Sequence, residues 1–173
     1  MTVASSLPRF VLLSVLALTA CGRDASLSVE GRALLMVPGE AETGFDFPER
    51  VRLAEEGEAA PADAIAGSCT FGETSSGDPV LRVSLEVPPM AMLEGIAMRR
   101  FSLRLPLEGA ERSEAELTLT LAEGGVSAGP SDECVLELVE VRGGEASVMV
   151  DCGVMTSRGP GDVDAELRFA GCR

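Results

Sequence analysis

The stretch Cys134–Cys152, CVLELVEVRGGEASVMVDC, decides the fold. Two runs rich in Val, VLELVEV and ASVMV, flank Gly143-Gly144. A Gly-Gly pair between such runs signals a two-residue turn, because both of its central positions need positive φ. The stretch therefore reads as an antiparallel hairpin with a cysteine at each end. If Arg142 faces Glu145, then Val135 faces Cys152 and Cys134 falls one position off. A β-bulge or a small register shift would bring the two sulfurs within bonding range.

The period-two pattern continues outward from this hairpin. VLRVSLEV (80–87) puts Leu81, Val83, Leu85 and Val87 on one face, and Arg82, Ser84 and Glu86 on the other. FSLRLPL (101–107), AELTLTLA (115–122) and VDAELRFAGC (163–172) repeat it. Weaker strands are expected at SLSVE, RALLMV, RVRLA and SCTF, with EGRA (30–33) as the turn of an N-terminal hairpin. About nine or ten short strands separated by Gly, Pro and acidic turns define an all-β fold, an antiparallel β-sandwich or barrel. AEEGEAAPADAIAG (54–67) reads as an acidic loop with room for a short helical turn. PPMAMLEGIAMRR (88–100) reads as a Met-rich connection. EGGVSAGPSDE (123–133) and GVMTSRGPG (153–161) read as flexible connections between strands.

The first residues differ in character. MTVASSLPRF carries Arg9 and no acid, and the apolar run FVLLSVLAL (10–18) follows. That run is too short to span a bilayer, which takes about 20 apolar residues. A basic start, a short apolar core and small residues make a secretory signal peptide. Leu18-Thr19-Ala20-Cys21 resembles the lipobox of bacterial lipoproteins at all four positions. The resemblance implies cleavage before Cys21 and a diacylglycerol on its thiol, usually with acylation of the new amine. Two or more chains anchor stably where one anchors marginally. Residues 1–20 are then the signal peptide, 21–25 the lipidated N-terminus and a short tether, and 26–173 a single β domain. Gly22 stands where an Asp tends to retain such proteins at the inner membrane. The expected location is thus the outer membrane of a Gram-negative envelope. The rest of the chain is similar to envelope lipoproteins only in general character, and no site residue carries over from that likeness.

Cys69, Cys134, Cys152 and Cys172 remain, an even number in an exported chain, and read as two disulfides. Three pairings exist on paper. The hairpin favours Cys134–Cys152 and leaves Cys69–Cys172 to tie the last strand to an early one. With the four paired, Cys21 is free to take lipid.

Composition narrows the function. The chain of 173 residues carries a formal charge of −14, and the leader contributes only Arg9, so residues 21–173 are more acidic still. Such a chain is repelled by phosphate backbones, which argues against nucleic acid. It also lacks the basic clusters that hold anionic lipid, which leaves the lipid on Cys21 as the membrane contact. There is no His and no Lys, hence no Ser-His-Asp triad, no imidazole metal site and no Ser-Lys dyad. Without Trp or Tyr, the usual stacking platforms for sugars and bases are missing.

Three groups of residues are candidate sites. Met90, Met92 and Met98 are soft ligands that suit Cu(I), but Met also fills cores and adaptable surfaces. Asp132, Glu133, Asp162 and Asp164 would hold Ca²⁺ if one end of the sandwich gathered them, yet no EF-hand spacing occurs. Ser75 and Ser76 have no His or Lys base and fit a turn before Val80. The expectation is a non-catalytic interaction module with no cofactor, meeting an envelope protein partner through a sheet edge or a loop. The alternative is a ligand- or cation-binding lipoprotein, with calcium first among ions; a hydrolase ranks below both.

Overall fold

The computed structural model describes residues 26–55, 57–88, 98–107, 115–121, 124–128 and 134–173. The strands are β1 (Ser28–Met36), β2 (Thr43–Arg52), β3 (Ala66–Glu73), β4 (Pro79–Glu86) and β5 (Met98–Pro106). They continue as β6 (Glu116–Leu121), β7 (Gly124–Ala128), β8 (Cys134–Arg142), β9 (Glu145–Thr156) and β10 (Gly159–Ala170). Sheet one has the order β2-β1-β10-β9-β8, and sheet two the order β3-β4-β5-β6-β7. Every strand pair within the sheets is antiparallel. Both sheets are open, so the architecture is a sandwich and not a barrel.

The path follows from short connections. β1 and β2 form a hairpin, and residues 53–65 carry the chain to sheet two. There it meanders through five neighbouring strands. It returns at the edge of sheet one as β8, turns through Gly143-Gly144, and runs inward until β10 pairs with β1. Gly143 (φ 58°) and Gly144 (φ 84°) both lie in the left-handed region that this turn demands.

Alternation places the core between the sheets. Val163, Ala165, Leu167 and Phe169 of β10 are buried while Asp162, Glu166 and Arg168 are exposed. Leu81, Val83 and Leu85 of β4 face inward in the same way. Phe45 of β2 meets Phe101 of β5 edge-on across the sheets, with ring centroids 6.4 Å apart and planes at 79°. That is a favoured aromatic geometry, and both rings are essentially inaccessible. Among the described residues no buried side-chain nitrogen or oxygen lacks a hydrogen-bond partner.

Both expected disulfides are present, Cys69–Cys172 and Cys134–Cys152. The second depends on a bulge. Arg142 pairs with Glu145, as the turn requires, but the register shifts between Leu138 and Glu140. Val139 is the extra residue, and Cys134 thereby lands opposite Cys152. The first bridge joins β3 of sheet two to Cys172, two residues past the end of β10 of sheet one, a sequence separation of 103.

Three readings of local structure are corrected. SLSVE and RALLMV are one continuous strand, β1, and EGRA lies in its middle. Gly31 passes the neighbouring β10 so closely that a Cβ would sit 2.0 Å from the Glu166 carbonyl oxygen. Its glycine answers to that approach and not to a turn. GGVSA within 123–133 is strand β7, held by pairing with the Leu-rich β6. Within 153–161, β9 and β10 run up to a two-residue turn at Ser157-Arg158. Arg158 donates its backbone N–H to Thr156 Oγ1 (3.1 Å), and Thr156 Oγ1 donates to the Gly159 carbonyl (2.9 Å). The acidic connection at 54–67 holds turns and an Ala54–Ala66 bridge, with no helix among its described residues.

Candidate interaction surface

An open sandwich has four edge strands, and three of them are blunted here. β3 is covered by chain from both directions. Phe71 N–H donates to the Arg173 carbonyl (2.5 Å), Arg173 N–H donates to the Cys69 carbonyl (3.0 Å), and Gly67 N–H donates to the Ala54 carbonyl (2.9 Å). β7 is only five residues long and opens with two glycines. β2 contains Pro48, exposed, within an irregular stretch of its pairing with β1. Short strands, prolines and covering loops are usual protections of an edge; bulges are another, and β8 has one, at Val139, which leaves Cys134–Leu138 regular.

The fourth edge, β8, runs nine residues without Pro or Gly, and its outer side has no strand partner among the described residues. Its orientation follows from the disulfide. The Cα atoms of Cys134 and Cys152 are 3.9 Å apart. That marks the close, non-hydrogen-bonded kind of cross-strand pair, whose backbone groups point away from the partner strand. By alternation, the N–H and C=O of Cys134, Leu136 and Leu138 point to the open side, as far as the bulge.

The same hairpin gathers the exposed apolar side chains. Among the described residues the large exposed hydrophobics are Val135, Val139 and Val141 on β8, with Met149 and Met155 on β9. The bulge explains Val139, which is 61% exposed, and Met155 beside the β9–β10 turn is 74% exposed. Fully burying a Val or Met would be worth about 1.5–3 kcal/mol. Five on one hairpin are thus a feature to be explained, although single exposed apolar residues are ordinary.

The rest of the outer face of sheet one divides by charge. Nearer the β1 start lies an ion-pair network. Arg168 reaches Glu145 (2.7 Å) and Glu30 (4.0 Å), and Arg50 reaches Glu30 and Glu145 (both 3.7 Å). The hydrogen bond from Arg168, then its charge, holds the Glu145 carboxyl below its ordinary range, and Glu145 raises the Arg168 guanidinium in turn. Toward the other end the face carries Asp151, Asp162, Asp164, Glu166 and Glu137, with Arg32 reaching Asp164 at 3.3 Å. A shallow depression at Gly31, lined by Glu30, Arg32, Asp46, Ser147, Glu166 and Arg168, lies between the two halves. The outer face of sheet two is different. It presents Ser68, Thr70, Ser84, Ser102, Thr118 and Thr120, with Arg82, Arg100 and Arg104 among them.

The candidate site residues are scattered. Cys21, Met90, Met92, Asp132 and Glu133 lie outside the described residues. Met98 is fully buried in the core and cannot serve as an exposed thioether. Asp162 and Asp164 stand on one face of β10, the second already paired with Arg32. Among the described residues no three acids or cysteines converge closely enough to hold a metal ion. Ser76 belongs to its turn: its hydroxyl donates to Asp78 Oδ2 (2.6 Å) and is 2.7 Å from Thr74 Oγ1. The β8 edge was missed by sequence reasoning, although its signal, Val at 135, 139 and 141, was in view. No family model, curated protein or solved structure matches the chain.

Proposed function

We propose that the protein is a non-catalytic interaction module, held at the cell envelope by lipid on Cys21 and meeting a protein partner through the β8–β9 hairpin. The observation that supports the reading is that Val135, Val139, Val141, Met149 and Met155 all stand on the β8–β9 hairpin, whose β8 edge carries no covering strand among the described residues. A long edge without a partner is a template for strand addition, and proteins that do not use such an edge normally blunt it. The lipobox supports the anchor, and disulfides belong in the oxidising compartment to which an exported chain goes.

Two readouts test the two halves separately. Cys21→Ser is expected to abolish palmitate labelling and membrane fractionation while leaving the folded domain intact; a variant still labelled and membrane-bound overturns the anchor. A photo-crosslinking amino acid at position 139 is expected to capture a discrete protein in cells, and the same probe at Thr120 on the opposite face to capture none. Capture at 120 and not at 139 overturns the surface.

A further inference from the structure

The β8 edge also specifies what kind of segment fits it; this inference deepens the proposed reading and rests on it. Three observations bear on the occupant. The first is backbone: Cys134, Leu136 and Leu138 offer N–H and C=O groups to the open side in strand spacing, which suits an extended chain and not a helix. The second is apolar: an added strand would lie beside Val135 and Val139 and cover part of each. The third is charge. Among the described residues, Glu137, Glu140 and Asp151 stand at or beside that edge, and Asp162, Asp164 and Glu166 stand one strand further in. The basic residue of β8, Arg142, is at its far end, opposite Glu145.

These features discriminate among occupants. A second copy would bring the same carboxylates to the interface, on a chain of formal charge −14, so electrostatics opposes edge-to-edge pairing of two identical β8 strands. Anionic lipid is opposed for the same reason. We infer that β8 takes an extended protein segment that alternates basic and apolar residues, added as a sixth strand to sheet one. Its basic side chains would lie on the outer face beside Glu137, Glu140 and Asp151, their stems covering part of Val135, and its apolar ones on the inner face beside the half-buried Leu136 and Leu138. Complementary charge of this kind sets partner choice and on-rate, while the backbone ladder supplies the geometry.

The probe is a ten-residue peptide of alternating Lys and Val, with a Glu-Val peptide of the same length as its counterpart. Binding to the purified protein is followed by fluorescence anisotropy and amide hydrogen exchange. The Lys-Val peptide should bind, slow exchange at Cys134, Leu136 and Leu138, and weaken as salt is raised; the Glu-Val peptide should not bind. Val135→Lys/Val139→Lys changes two exposed positions and should weaken binding by about tenfold or more. Thr70→Lys/Thr120→Lys makes the same charge change on sheet two and should alter it by less than about twofold. Equal weakening by both pairs, or protection anywhere but β8, overturns the inference as mere charge attraction. No binding overturns it too, as does a dimer in sedimentation that Val139→Lys dissolves. In each of those cases the crosslink at position 139 decides whether the broader reading falls as well: capture there spares it, and no capture there removes it.

Discussion

The two sheets of this sandwich have the same strand number and nearly the same alternation, yet they treat their edges and outer faces differently. Sheet two is finished. Its β3 edge is covered by Arg173 and Ala54, its β7 edge is five residues long, and its outer face is studded with hydroxyls. Sheet one is finished on the β2 side by Pro48 and, among the described residues, carries no further strand on the β8 side. The exposed large apolar residues of the described chain all sit on β8 and its neighbour β9. The difference teaches that an exposed edge is a choice, made in a molecule that elsewhere blocks strand addition by three separate devices.

The comparison can be broken or sharpened by substitution. The largest effect is expected at the bridge between the sheets. Removing Cys69–Cys172 by a double Ala substitution should cost about 4–5 kcal/mol in urea unfolding, because its closed loop is long. Removing Cys134–Cys152, which staples sheet one to itself across a separation of 18 residues, should cost about 3 kcal/mol. A reversed order would mean that sheet one, and not the joint, limits stability. Next is Gly31→Ala. The added Cβ meets the Glu166 carbonyl at the centre of sheet one, and a loss of roughly 2–3 kcal/mol is expected in the same assay. Gly125→Ala in sheet two, whose nearest neighbour would be 3.4 Å away, should be far milder.

Smaller effects belong to the outer face. Glu145 is held below the ordinary glutamate range, so its unfolded value is the higher one. Its stabilisation is complete above that unfolded value and disappears as pH falls through the folded one. Glu145→Gln should therefore lower the melting temperature slightly at neutral pH, and the gap from the wild type should close in acid. A gap that persists at low pH would locate the effect in packing instead. The Arg168 shift lies upward, beyond any pH at which the fold is studied, and adds no second transition. Smallest of all is calcium. With Asp164 already paired to Arg32, millimolar Ca²⁺ should leave the melting temperature unchanged. A rise of several degrees would favour the cation-binding alternative.

Much of the fold was legible in the sequence because alternation with a half-buried sheet is a local signal. Leu81 to Val87 and Val163 to Phe169 announce their strands unaided. The Cys134–Cys152 pairing was legible for a related reason, since the Gly-Gly turn fixes a register and the misfit of one residue demands a bulge. β7 was not legible: GGVSA has a single strand-favouring residue, Val126, and becomes a strand by pairing with β6. Gly31 misled because a glycine beside an acidic and a basic residue looks like a turn, while its cause is a close approach of β10, distant in sequence. The candidate surface was hidden for the deepest reason. Whether Val139 is core or edge depends on which strands end up at the rim, and that is a property of the topology and not of the local pattern.

Native-state hydrogen exchange on the free protein tests the asymmetry most directly. The account predicts rapid exchange for the Leu136 and Leu138 amides at the open edge, and slow exchange for the Phe71 and Gly67 amides, which are bonded to Arg173 and Ala54. Comparable protection at both edges, or faster exchange along β3 than along β8, would contradict it.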